Sequence, residues 1–229
     1  LFYPRWADHG RKGPVSLEVS HIYSAEECRS MTAEQLNSAI AADIAENAYV
    51  TRAEKNARYP GRRKAEGIEN ILFVCPRCHA FGSFSSKGDR FFCRCGLKGS
   101  CDELGGVRTE GFPFENMSEW NSWQKDYLAS LPLSKLPEVS DPDMVLSSIE
   151  GHERVPVASG DLLYSSEGFR VGAFRLPSSA ISDMAVRLKG TVTFSTHDGG
   201  YYELKHKKKK QPYHGLRYVY LFNCIQKQI

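Results

Sequence analysis

Val15, Leu17 and Val19 alternate with Ser16, Glu18 and Ser20, a two-residue period that predicts a half-buried strand ending near Ile22. Two capping boxes follow, Ser24-Ala25-Glu26-Glu27 and Thr32-Ala33-Glu34-Gln35. The second opens a helix whose Leu36, Ile40 and Ile44 fall on one face. One strand with these helices cannot bury a core, so this unit is expected to pack against something else. Ile71 to Val74 predicts a short strand leading into a cysteine-rich segment. Asn116-Met117-Ser118-Glu119 marks a helix start, and Trp120, Trp123, Tyr127 and Leu131 then recur three and four residues apart. Such a stripe is ordinarily core, here the surface that seats the cysteine segment; a membrane-interface role is the alternative.

Pro132, Pro137 and Pro142 read as a linker. Beyond about residue 150 the pattern changes to short strands, over 154–157, 161–164, 169–176, 185–189, 191–195 and 201–205. Turn residues separate several of them: Ser166-Glu167-Gly168, Lys189-Gly190 and Asp198-Gly199-Gly200. Leu216 to Ile225 fits a helix or a strand. The expectation is an antiparallel sheet or barrel of about six or seven strands.

The clearest chemistry lies between residues 75 and 101. Cys75-Pro76-Arg77-Cys78 and Cys93-Arg94-Cys95 are separated by fourteen residues containing glycine and flanked by phenylalanines. Two tight turns that each present a pair of thiolates, joined by a hairpin, read as a zinc ribbon with Cys75, Cys78, Cys93 and Cys95 as ligands. Four sulfur ligands leave no open position, so the zinc is expected to be structural. The second pair is one residue shorter than the usual knuckle; Gly96 after it suits a turn of positive φ, and Cys101 and His79 stand as alternative ligands.

Seven cysteines, four of them in metal spacing, suggest a reducing cytoplasm rather than a disulfide framework. A net charge of +3 is too small to argue for nucleic acid by itself. Arg62, Arg63 and Lys64 lie in a basic stretch and Lys207, Lys208, Lys209 and Lys210 in a basic run. Each is ordinarily solvated, and each also suits phosphate or an anionic membrane surface. Length and composition suggest several small units: 1–50, a basic linker 51–70, the ribbon 71–104, an aromatic helix and linker 105–136, and a β-rich domain 137–229. The fold class is therefore α+β. No apolar run approaches a membrane span. The opening Leu1-Phe2-Tyr3-Pro4-Arg5-Trp6 has neither an initiator Met nor a signal pattern and reads like the middle of a larger protein. No nucleophilic or acid–base constellation stands out; His21 with Glu26 is the weak exception, at the end of the alternating strand.

Pro4-Arg5-Trp6, Arg11-Lys12-Gly13-Pro14, Tyr59-x-Gly61-Arg62-Arg63-x-Ala65-Glu66-Gly67-Ile68-Glu69-Asn70 and Cys75-Pro76-x-Cys78 together resemble the C-terminal part of a bacterial lysophospholipid acyltransferase subfamily carrying a zinc ribbon. Glu119-Trp120 and Trp123-Gln124 are similar to the segment after that ribbon, and the likeness spans about residues 1–130. The family's second knuckle is Cys-x-x-Cys, from which Cys93-x-Cys95 departs. The resemblance implies that residues 1–50 are the tail of an α/β acyltransferase domain, its last strand and closing helix. Its partner would then be the missing N-terminal acyltransferase half. The parent reaction moves an acyl chain to a lysophospholipid such as 1-acylglycerol 3-phosphate. No position here matches the family's catalytic His-x4-Asp, so the chain alone is expected to be inactive. The β-rich end is expected to be PH-like, closed by a C-terminal helix, and the protein cytoplasmic and peripheral to the inner membrane. A non-catalytic module contacting nucleic acid or an anionic membrane is the alternative; aromatics are not interleaved with a dense basic stripe, which argues against nucleic acid.

Overall fold

The computed structural model describes residues 7–109, 111, 114–187, 190–207 and 215–229. The Pro4-Arg5-Trp6 motif, Leu188 and Lys189 of one expected strand, and Lys208, Lys209 and Lys210 lie outside these residues. The chain is α+β, mixing helices with two antiparallel sheets.

The first helices are α1 (Ala25–Ser30), α2 (Ala33–Asp43) and α3 (Ala48–Glu54). Both capping boxes form, Ser24 with Glu27 and Thr32 with Gln35, and Asn47 caps α3. None of the three helices has a buried residue. The strand expected over 15–22 does not form. Its alternating residues have no neighbouring strand among the described residues, and a strand is stable only as one of a pair. The stretch expected to be a basic linker from residue 51 begins inside α3.

A four-stranded sheet follows, β1 (Phe84–Lys87), β2 (Arg90–Cys93), β3 (Lys98–Cys101) and β4 (Val107–Thr109), paired in chain order. Its inner face packs on α4 (Met117–Ser130), which Asn116 caps through Ser118 and Glu119. Trp120 is fully buried there, its ring 5.1 Å from Phe84 and 5.4 Å from Phe91. A Cβ at Gly99 would lie 2.2 Å from Phe91 Cζ, so only glycine lets that ring lie against β3. The strand expected over 71–74 reduces to an isolated bridge, Val74 to Phe81. A 3-10 turn over Ile68–Asn70 precedes it, and the Phe73 and Val74 amides donate to the Gln124 side chain instead of a neighbouring strand.

The second sheet comprises β5 (Val139–Glu150), β6 (Glu153–Ser165), β7 (Gly168–Val171), β8 (Phe174–Pro177), β9 (Ile181–Arg187), β10 (Thr191–Thr196) and β11 (Tyr201–His206). Their order is β8-β7-β6-β5-β11-β10-β9, and α5 (Gly215–Gln226) packs against the sheet through Tyr218, Leu221 and Ile225. Of the prolines read as a linker, Pro132 and Pro137 precede β5 and Pro142 lies inside it. Pro142 sits where the pairing skips between Asp141 and Met144, a bulge that needs no ladder N–H. Two expected strands merge into β6, and the expected 169–176 strand splits at Gly172, whose φ of +55 makes the turn. Leu216 to Ile225 is helix. A third cluster, with Phe73, Val74, Leu128 and Cys224, joins the two units, and the Tyr220 hydroxyl donates to Asn121 at 2.8 Å.

Glu203 on β11 is buried and accepts from Arg154 Nε at 2.6 Å and Lys205 Nζ at 2.5 Å. Burial works to raise its pKa, but these two cations hold the carboxyl below its ordinary 4.5. A depressed carboxylate contributes stability above its unfolded value and loses it as pH falls. The stability gap between the wild type and Glu203→Gln is therefore expected to shrink as pH falls from about 6 to about 3, read by urea unfolding. A gap that stays constant would remove the ion cluster from the account.

Candidate metal centre

The two knuckles are built by different local means. In the first, the His79 amide donates to the Cys75 carbonyl at 2.7 Å, with His79 at a φ of +57. In the second, the Gly96 amide reaches the Cys93 carbonyl at 3.0 Å and the Cys93 amide reaches the Leu97 carbonyl at 2.8 Å. Gly96 takes a φ of +91, so the chain reverses one residue early and a Cys-x-Cys spacing still presents both sulfurs.

The result is one cluster. Cys75 Sγ lies 3.7 Å from Cys95 Sγ, Cys78 Sγ lies 3.7 Å from Cys93 Sγ, and all four sulfurs fall within 4.8 Å of one another. A tetrahedral ion with metal–sulfur bonds of ~2.3 Å needs sulfurs about 3.8 Å apart. Disulfides need ~2.05 Å, and all the cysteines are free thiols. The residues present therefore fit a tetrahedral ion. Cys75 and Cys93 are buried while Cys78 and Cys95 face solvent.

Burial raises the Cys75 and Cys78 thiols. Burial opposes ionisation at Cys93 too, but the Cys95 amide, the Ser83 hydroxyl 3.2 Å away and the neighbouring sulfurs bring it down to about 7. Ser83 was invisible in the sequence, because a lone serine ten residues from a cysteine carries no signal. The two alternative ligands stand apart. Cys101 is a buried thiol pushed up to about 12 by desolvation, and the His79 ring lies against Tyr127 and Trp123 at 4.7 and 5.9 Å.

The first knuckle is clamped from α4. Gln124 Oε1 accepts the Phe73 and Val74 amides at 3.1 and 3.4 Å, and its Nε2 donates to the Ile71 carbonyl at 2.7 Å. Trp120 Nε1 donates to the Val74 carbonyl at 3.1 Å. The Phe73 and Val74 amides and the Ile71 and Val74 carbonyls at the entry to the buried knuckle thereby find partners, as burial demands.

The expected phosphate contacts divide. Lys64 is mostly buried, its ammonium 2.6 Å from Asp89 at the β1–β2 turn, and Arg63 pairs with Glu66 at 3.3 Å and Asp8 at 3.5 Å. Both serve the fold by joining the 61–66 segment to its neighbours. Arg62 and Lys207 are exposed. His21 is exposed, with its ring 4.3 Å from Tyr23. No helix among the described residues is long and apolar enough to cross a membrane. Compared with protein-family models, curated proteins and solved structures, the chain finds no match.

Proposed function

We propose that this chain is a C-terminal accessory region of a lysophospholipid acyltransferase, docking through its N-terminal arm on the catalytic domain. The four cysteines hold zinc, which supplies folding energy and no chemistry, since four thiolates close its coordination. The β-domain is PH-like. Four strands in sequence, β5 to β8, and three more, β9 to β11, meet at the β5–β11 pair beneath one helix, and this order supports that reading.

One observation carries the docking. Val15, Leu17, Val19 and Ile22 are 77%, 95%, 74% and 81% exposed, and Ile44, the C-cap of α2, is 76% exposed. Strand-forming and helical apolar faces left in water together mark a surface that another element covers. The resemblance names that element as the acyltransferase sheet. In the acyltransferase-bearing protein, Leu17→Asp with Ile22→Asp is expected to lower lysophospholipid acylation at least tenfold while leaving metal content unchanged. Unchanged acylation with a correctly folded ribbon would defeat the docking role.

A further inference from the structure

Register places Ser85, Lys87, Arg90, Phe92, Lys98 and Ser100 on the outer face of the ribbon sheet, opposite the face that packs on Trp120. Ser85 pairs with Phe92, Lys87 with Arg90, Arg90 with Ser100, and Phe92 with Lys98. The three cations are exposed around the half-buried Phe92, and none of them makes an ion pair among the described residues. Like charges directly opposed across strands, as Lys87 and Arg90 are, weaken a sheet. Their presence on a small sheet calls for a compensating partner.

Charge is also concentrated here. Five cations against one acid, Asp89, lie between Cys75 and Cys101, more positive charge than the +3 of the whole chain. A divalent ion on four thiolates leaves two negative charges, which Arg77 and Arg94 inside the knuckles offset. Lys87, Arg90 and Lys98 remain, and Asp89 is already engaged by Lys64.

We infer that this face is a docking surface for an anionic lipid bilayer, with the three cations on headgroup phosphates and Phe92 at the interfacial level. Phe92 is the single aromatic among these face positions, whereas single-stranded nucleic acid is gripped by successive rings. The choice of lipid rests on the acyltransferase reading, but the surface is separate from the N-terminal arm.

The test is flotation of the zinc-loaded chain with vesicles of phosphatidylcholine, alone or with added phosphatidylglycerol. Binding is expected only with the anionic lipid, and it should fall as salt is raised from about 0.05 to about 0.5 M. The combined Lys87→Gln, Arg90→Gln, Lys98→Gln variant is expected to lose about a hundredfold in partitioning, at roughly fivefold per cation. Metal content reports its fold, and the salt series on the wild type needs no variant. Equal binding to both vesicle types, a metal-loaded variant that binds like wild type, or binding to single-stranded RNA with none to vesicles would each overturn the inference. Acylation unchanged by Leu17→Asp with Ile22→Asp, with vesicle binding intact, would instead count against the N-terminal docking role alone.

Discussion

Stripping the metal with a strong chelator at neutral pH is expected to unfold the ribbon and loosen α4, while the β-domain stays folded. Metal binding at such sites is worth about 10–16 kcal/mol, and the short strands β1 to β4 bury too little apolar surface to replace it. The β-domain has its own core of Met144, Leu162, Phe169, Phe194, Leu204 and Tyr218, which contains no cysteine. Hydrogen exchange should therefore rise over 71–109 and 117–130 and remain slow over β5 to β11. Cys93→Ser should do the same without chelator, since Cys93 is the buried ligand whose ionisation its surroundings favour. A ribbon that keeps its protection without metal would mean that the cysteines are only core thiols.

The second large effect is expected at Trp120→Ala, which should weaken metal binding by a factor of about a thousand or more. The indole is fully buried against Phe84 and Phe91, and such truncations cost about 3–5 kcal/mol. The Val74 carbonyl, one residue from the ligand Cys75, would also lose its donor. Because folding and binding of the ribbon are one equilibrium, the cost appears as lost metal affinity in a competition titration. Trp120→Phe should sit between the two, keeping the ring contacts and leaving the carbonyl unpaired. Trp123→Ala should do little, because that ring is only partly buried. Equal effects at Trp120 and Trp123 would contradict the clamp.

What was legible in the chain was local. The cysteine spacing marked the four thiols that the fold gathers, and Asn116 marked the start of α4, although of the stripe behind it Trp120 alone is buried. What escaped depends on partners far away in sequence. Pro142 read as a linker residue because nothing nearby announces a bulge, and β5 was lost with it. Gln124 reads as an ordinary helix residue until its amide meets Phe73 and Val74 some fifty residues back. Lys64 read as a surface cation because its acid, Asp89, lies 25 residues on. Lys87, Arg90 and Lys98 form no run, and only strand register gathers them on one face. Over 15–22 the pattern and the structure differ for another reason. The alternation is that of a strand, and no strand among the described residues pairs with it.

The most direct measurement is the intact mass, and the composition, of the native species that carries this chain in its source cells. A mass well above 25.7 kDa, or a stable complex, containing a His-x4-Asp acyltransferase peptide is the expected result. A monomer of 25.7 kDa, with residues 15–22 protected from exchange and no acyltransferase associated, would contradict the accessory role.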